Sequence, residues 1–145
     1  MFNLENFGIT TGRLTADPQI YDNADGSKKV RITVAAPNAY KNRDGGRGTQ
    51  FIPLESFIPA ERAVNGDGVF GMLHQGDKVT AQYSVRNNHY ARADGERVYG
   101  IVLQIDAIRF GETRAVVSAR QQAKAAVEQK GKKGRASKPA AAKAA

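Results

Sequence analysis

The chain has 145 residues, of which 41% are hydrophobic, and it carries a formal net charge of +8 without any cysteine. This length allows one buried core, so we expect one compact domain with a tail. The lack of cysteine excludes disulfides, thiolate metal sites and a thiol nucleophile, and it is typical of a reducing cytoplasm. The N-terminus lacks a basic segment followed by an apolar run, and no window reaches the roughly 18 to 20 apolar residues of a membrane span. We therefore expect an unexported protein without membrane contact.

The positive charge is concentrated near the C-terminal end. Residues 1–110 hold 13 Lys and Arg against 12 Asp and Glu, a net of +1, whereas residues 111–145 hold 9 against 2, a net of +7. We therefore expect a nearly neutral domain over residues 1–110 and a flexible basic Ala/Lys-rich tail over residues 111–145. Residues 119–129 could form a transient helix, but the tail has little to bury, which predicts disorder. A solubilising role stays open beside attraction to a polyanion. The tail cations expected to supply that attraction are Lys130, Lys132, Lys133 and Arg135.

The first strand patterns are separated by turn residues. Residues 7–14 are rich in β-branched residues and glycine, which predicts a strand that bends at Gly12. Asp17-Pro18 breaks this strand, and residues 19–21 are expected to resume pairing after the break. Residues 29–35 alternate cleanly between apolar and polar side chains, which predicts the next strand with its aliphatic side chains facing inward.

A long glycine-rich loop covers residues 38–49, and its expected tip is Asp44-Gly45-Gly46. The loop is too long for a tight turn and carries Tyr40 among several basic residues. We therefore expect a mobile arm rather than a simple connector.

The third strand, residues 50–58, carries two phenylalanines on the side that should face water. Alternation puts its aliphatic residues on the core side, whereas Phe51 and Phe57 share the opposite side with Glu55. A second layer covering this side would make both rings ordinary core residues, and a ligand or partner would make them a binding surface. The segment by itself leaves both interpretations open.

The second half of the domain predicts a short helix followed by a hairpin. Residues 59–75 contain two short helical patterns, which end at Gly76-Asp77. Residues 78–86 and 97–110 alternate again and predict two strands that turn at Asp94-Gly95. An open sheet of these five strands would leave an edge, and closure into a small barrel removes it. The expected fold class is therefore all-β.

In this order and spacing, several short motifs together resemble the bacterial-type single-stranded DNA-binding proteins, a family with the OB-fold. The resemblance covers roughly residues 6–110. It rests on Asn6, Gly12-Arg13-Leu14 with Asp17-Pro18, Ile32-Thr33-Val34-Ala35, the aromatic strand at residues 51–57, Gly76-Asp77 before Val79, and Asp94-Gly95 followed by Tyr99. It implies a five-stranded Greek-key OB-fold barrel with one short helix, followed by the disordered tail.

The resemblance also implies a function. The expected activity is sequence-nonspecific binding and protection of single-stranded DNA in replication, recombination or repair, in a nucleoid-associated cytoplasmic protein. The expected assembly is a homotetramer or a homodimer, because family members form such oligomers. Family members often end in an acidic, hydrophobic tip that recruits partners, and the Ala/Lys end of this chain predicts no recruitment by that route.

The family stacks DNA bases on aromatic side chains, and the resemblance assigns this role one residue at a time. The four matching rings are Tyr40, Phe51, Phe57 and Tyr90. Stacking tolerates any sequence because every base has a π-face, while Arg and Lys follow the phosphates. The cations interleaved with these rings, and expected to contact phosphates, are Arg31, Lys41, Arg43, Arg47, Arg86, Arg92 and Arg97.

Two departures from the family pattern bear on assembly and affinity. Gly8 and Thr10 stand where the family usually has aliphatic residues, in a strand that commonly pairs subunits. Pro53 and Glu55 fall between the two phenylalanines. Proline removes a backbone donor there, and glutamate repels phosphate unless a neighbouring arginine neutralises it.

Catalysis has little support in the sequence. His74 and His89 lack the spacing of a metal pair, no phosphate-binding Gly-Lys-Ser/Thr loop occurs, and Ser56 and Ser84 have no nearby base. We expect neither an enzyme nor a cofactor or metal. The stronger alternative is an OB-fold protein-interaction or replication-accessory module whose exposed aromatics form an oligomer or partner surface. Salt distinguishes the two, because DNA binding weakens steeply as salt rises and an apolar contact does not.

Overall fold

The computed structural model describes the backbone of residues 3–136 and the side chains of residues 3–132. Its elements in chain order are β1 (Gly8–Leu14), β2 (Gln19–Asp22), β3 (Lys28–Pro37), β4 (Thr49–Ile58), α1 (Ala60–Ala63), a 3₁₀ turn (Gly68–Met72), β5 (Lys78–Ala91), β6 (Arg97–Phe110) and α2 (Arg114–Ala136). The chain divides after Gly111 into two units. No helix in the described part of the chain is long and apolar enough to cross a membrane.

The strands of the first unit close into a barrel. β5 pairs antiparallel with both β1 and β6, and β3 pairs antiparallel with β4. The ring closes where Arg13 and Leu14 of β1 pair with β3, and where Glu55 of β4 pairs in parallel with Gln104 of β6. Closure removes the edges that an open sheet would expose. The prediction of an all-β OB-fold barrel is confirmed.

β1 and β2 together take the place of one barrel strand. Both pair with β3, β2 with the first half of that strand and β1 with its second half. The Asp17-Pro18 break separates them, because proline has no N–H to continue the ladder. The prediction that residues 19–21 resume pairing is confirmed. Six strand segments are therefore present where five were predicted, and the difference is this interruption.

The core follows the predicted alternation of β3 and β4. Val30, Ile32 and Val34 are at most 2% exposed, and Leu54 is fully buried. The cluster is completed by Leu14, Phe70, Leu73, Val79, Ala81 and Ile105. Burying an aliphatic or aromatic side chain of this size stabilises the fold by about 1.5 to 3 kcal/mol. The barrel interior is thus sufficient to hold the fold, and the outer side of β4 is free for another role.

Two short helical pieces lie between β4 and β5, as predicted. α1 is a single turn, and the 3₁₀ turn buries Phe70 against the end of the barrel. Nζ of Lys28 donates to Oδ1 of Asp67 at 2.6 Å, which ties the segment to the start of β3. The 3₁₀ turn therefore contributes to the core, whereas α1 buries no side chain.

Glycine at position 8 has a structural explanation that the sequence alone did not show. Its register partner on β5 is Tyr83, and a Cβ at position 8 would lie 2.4 Å from Cζ of that ring. Tyr83 packs against the core, and Thr10 is buried two residues farther along β1. The tyrosine thus fills the volume that an aliphatic residue at position 8 would otherwise fill.

The predicted disorder of the basic tail needs correction. Arg114–Ala136 form α2, a helix of 23 residues. The segment is rich in Ala, Gln, Lys and Arg, which favour helix, and it exceeds the roughly 12 to 15 residues below which isolated helices are marginal. The prediction rested on the lack of a core-forming face, and local helix propensity outweighs that lack. Residues 137–145 of the predicted tail lie outside the described residues.

Candidate nucleic-acid interface

Phe51 and Phe57 lie on the outer side of β4 and are 66% and 54% exposed. The strand alternates as predicted, with Leu54 buried and Pro53 exposed between the two rings. Because a strand rises about 3.3 Å per residue, six residues separate the two rings by about 20 Å. Their exposure rules out the interpretation that both are ordinary core residues. Two aromatic surfaces are therefore available to a ligand along one strand.

Tyr40 and Tyr90 lie toward the N-terminal end of β4. Because β4 and β6 run parallel, the loop before β4 and the turn before β6 leave the same end of the barrel. Tyr40 is in that loop, Tyr90 is close to that turn, and they are 65% and 51% exposed. Register puts Tyr90 on the same side of the β5–β6 hairpin as Gln104, whose partner on β4 is Glu55. Tyr90 therefore continues the outer side of β4.

The loop between β3 and β4 is held in shape by its own backbone. The N–H of Asn38 donates to the carbonyl of Gly48 at 2.8 Å, and the N–H of Asn42 donates to the carbonyl of Gly46 at 2.7 Å. The loop is thus a hairpin-like extension that ends in a turn at its predicted tip. It presents Tyr40 beyond the end of the barrel.

Six of the seven predicted phosphate-contacting cations are exposed; five of them lie near this same end of β4, and Arg86 lies beside the middle of that strand. In the loop they are Lys41, Arg43 and Arg47, and in the β5–β6 hairpin they are Arg86, Arg92 and Arg97. Arg47 also donates to the backbone carbonyl of Asn38 at 3.4 Å. The two extensions therefore bring exposed rings and positive charge to one end of the barrel.

The seventh cation, Arg31, is held by Glu55. Nη2 and Nε of Arg31 donate to Oε1 of Glu55 at 2.7 and 3.2 Å, and Nζ of Lys29 lies 2.9 Å from Oε2. Partial burial raises the pKa of Glu55, but the hydrogen bonds from Arg31 and Lys29 outweigh burial and hold that pKa below its usual value. The hydrogen bond from Arg31 likewise raises the pKa of its guanidinium. Glu55 is therefore an ionised, neutralised group, and the three side chains carry a net charge of +1.

Lys29 is a site residue that sequence reasoning did not select. Alternation showed that it faces outward, but its partners follow from the β3–β4 register, which pairs Lys29 with Phe57. Beside Phe57 lies a cavity of about 190 Å³ between β4 and β6. Its lining residues are Lys29, Glu55, Ser56, Phe57, Val102 and Gln104. A ring, a cation and polar side chains thus meet at the C-terminal half of β4.

A second aromatic pair lies in the β5–β6 hairpin. The rings of His89 and Tyr99 meet edge to face with centroids 4.9 Å apart. Both line an open cavity of about 380 Å³, together with Tyr90 and Arg97. Tyr99 appeared in the sequence only as part of a motif, and cross-strand pairing with His89 is what places it here. Register puts this pair on the side of the hairpin opposite Tyr90, so the hairpin exposes aromatic rings on both sides.

The predicted tail cations lie in α2. Lys130 and Lys132 are exposed. Lys133 and Arg135 belong to the helix, but their side chains lie outside those that the structure describes. Among the described residues, no group of three or more His, Cys, Asp or Glu side chains could hold a metal ion.

Several known proteins with similar sequences are named single-stranded DNA-binding proteins. The chain is 28% identical over 109 residues to single-stranded DNA-binding protein 1 of Staphylococcus aureus strain MSSA476, covering 75% of this chain and 67% of that protein. It is 27% identical over 107 residues to single-stranded DNA-binding protein 2 of Listeria innocua, covering 73% and 64%. The single-stranded DNA-binding protein of Bacillus cereus is 29% identical over 106 residues, covering 73% and 59%. The chain is therefore similar over about three quarters of its length to single-stranded DNA-binding proteins.

These similarities confirm the resemblance that the motifs suggested. No family model matches the chain. The match covers less than two thirds of the Listeria and Bacillus proteins.

Proposed function

We propose that this protein is a member of the single-stranded DNA-binding protein family, which binds single-stranded DNA with little sequence preference and protects it during replication, recombination or repair. The observation that carries the proposal is the exposed pair Phe51 and Phe57 on the outer side of a closed barrel. Each base stacked on such a ring contributes about 1 to 3 kcal/mol, and any base can stack. The names of the relatives support the same ligand.

The strand would run along β4. At the N-terminal end, bases would stack on Tyr40, Phe51 and Tyr90 while the cations of the loop and hairpin contact phosphates. At the other end, Phe57 would hold a further base. Such binding holds the strand without breaking bonds, so the proposal includes no catalysis, cofactor or metal.

Three further parts of the proposal concern the whole protein. The basic residues after Gly111 would add sequence-independent attraction to phosphates, because polycations release counterions from DNA. The protein would assemble as a homodimer or homotetramer, which sedimentation at working concentration tests, since a monomer would contradict it. It would act in the cytoplasm at the nucleoid.

The test is a fluorescence anisotropy titration of labelled oligo-dT at two salt concentrations. The proteins are wild type, Phe51→Ala/Phe57→Ala, and a chain ending at Gly111, which keeps every member of the barrel core. The matched control is Ile101→Ala, because Ile101 is 70% exposed and lies on the side of the hairpin opposite Tyr90. Losing two stacked bases should weaken binding by about 2 to 6 kcal/mol, whereas the control should bind like wild type.

The pattern of results separates DNA binding from its alternatives. If the double variant binds like wild type while truncation abolishes binding, the rings are not the binding surface. If wild type fails to bind oligo-dT even at low salt, the exposed rings are better explained as a contact with another protein or another copy. Such an apolar contact would persist at high salt.

A further inference from the structure

The outer side of β4 continues across two more strands. Lys29 of β3 is the register partner of Phe57 on β4 and also of Tyr21 on β2. Directly paired residues project from the same side of a sheet, so the two rings flank one ammonium group in a row. Because neighbouring strands lie about 4.8 Å apart, the rings start about 10 Å from each other.

Tyr21 is exposed, and the core does not need its ring. It is 47% exposed, whereas its neighbour Ile20 packs against the core from the other side of β2. Its Oη donates to Oε1 of Gln19 at 3.1 Å, which anchors the hydroxyl end of the ring. β2 lies at the end of the strand order, so within residues 3–136 no further strand covers it. The ring is therefore open to a ligand.

The charges beside this row, which consists of Tyr21, Lys29 and Phe57, favour binding of a polyanion. Glu55 takes one negative charge against the two positive charges of Lys29 and Arg31, which leaves a net of +1 beside the two rings. Five of the other predicted phosphate contacts lie near the N-terminal end of β4, so this row supplies positive charge at the Phe57 end. An apolar protein partner would gain less binding free energy than a polyanion from a surface on which a cation lies between two rings.

We propose that Tyr21 stacks a base of the same DNA strand, with Lys29 contacting a phosphate between the bases held by Phe57 and Tyr21. The binding face then extends from β4 over β3 to β2. This inference rests on the proposed function, because it adds a stacking residue and a phosphate contact to that face.

The test uses the full chain and labelled oligo-dT by fluorescence anisotropy. Tyr21→Ala should weaken binding roughly 5- to 150-fold, the equivalent of one lost stacking partner. Tyr21→Phe keeps the ring and should bind like wild type. Ile101→Ala controls for removal of an exposed apolar side chain. Circular dichroism checks that each variant is folded.

A direct readout is photocrosslinking to an oligonucleotide that contains 5-bromouracil, followed by mass mapping of the modified peptide. An adduct on Tyr21 is expected. The proposed function holds if wild type binds oligo-dT and Phe51→Ala/Phe57→Ala does not. In that case the inference is overturned if Tyr21→Ala binds as well as Ile101→Ala and no adduct forms on Tyr21. It is also overturned if Tyr21→Phe loses as much affinity as Tyr21→Ala, since the hydroxyl would then be responsible. Wild type that does not bind oligo-dT at all overturns the proposed function itself.

Discussion

Arg31 and Glu55 face each other across the β3–β4 pair, and two nitrogens of the guanidinium donate to one carboxylate oxygen at 2.7 and 3.2 Å. Lys29 binds the second oxygen at 2.9 Å. A carboxylate on a surface that meets phosphates should repel them, but here two cations bind it, and each of these cations keeps further N–H groups that can donate to a phosphate. Glu55 therefore contacts Lys29 and Arg31 in the way that a phosphate of the DNA would contact them on the proposed binding face.

Glu55→Gln should tighten binding to oligo-dT. The substitution removes one negative charge and leaves Lys29 and Arg31 free to contact phosphates. We expect roughly fivefold higher affinity, about 1 kcal/mol, and a salt dependence steeper by about 0.7 in log–log slope for each phosphate gained. Anisotropy titrations over a series of salt concentrations measure both. Glu5→Gln, which removes an exposed carboxylate before β1, is the matched control. Weaker binding by Glu55→Gln would contradict the expectation and show that Glu55 positions the two cations for DNA.

The same contact should make stability depend on pH. The pKa of Glu55 in the folded protein lies below its ordinary value of 4.5, so the ionised form stabilises the fold above that pH. This contribution should be lost as the pH falls through the lowered pKa. Wild type should exceed Glu55→Gln in unfolding free energy by about 0.5 to 1 kcal/mol at neutral pH, because the two cations are half exposed. Urea denaturation at neutral pH and at a series of acidic pH values tests this, since the difference should shrink as the pH falls through the lowered pKa. A difference that stays the same at every pH would show that the ion pairs do not stabilise the fold.

The alternation of β3 and β4 was sufficient to predict which residues are buried and that Phe51 and Phe57 face outward. It could not predict that Glu55 is bound by Lys29, because alternation assigns a side of the sheet and not a register between strands. The packing of the Tyr83 ring over Gly8 could not be predicted for the same reason, since these residues are far apart in sequence. The helix α2 is longer than the transient helix that the sequence suggested for residues 119–129, and the reason is a different one. Composition indicates whether a segment can join a core, whereas helix formation depends on local propensity.

Tyr90→Ala should weaken binding to oligo-dT by about 1 to 3 kcal/mol, the contribution of one stacked base. Tyr90 lies on the side of the β5–β6 hairpin that continues the outer side of β4. Ile101→Ala removes an exposed side chain from the opposite side of the same hairpin and should leave affinity unchanged. Anisotropy titration at one low salt concentration compares the two. Equal losses for both variants would show that the hairpin contacts DNA without a preferred side, which contradicts the register argument.

Gly12→Ala should destabilise the barrel without changing the binding face. β1 bends at Gly12 between β5 and β3, and a Cβ there would lie 2.2 Å from the carbonyl oxygen of Ala35. Both strands would have to move apart, because the obstacle is backbone and not a flexible side chain. Overpacking of this kind costs about 1 to 3 kcal/mol.

Urea denaturation of Gly12→Ala measures this loss, and Gly46→Ala is the control. A Cβ at Gly46 would lie 3.4 Å from a carboxylate oxygen of Asp44 in the exposed loop, so its effect should stay within about 0.5 kcal/mol. At temperatures where Gly12→Ala remains folded, it should bind oligo-dT like wild type, because the outer side of β4 is unchanged. Wild-type stability for Gly12→Ala would show that β1 and β3 do not approach this closely, and that the barrel is more open at this seam.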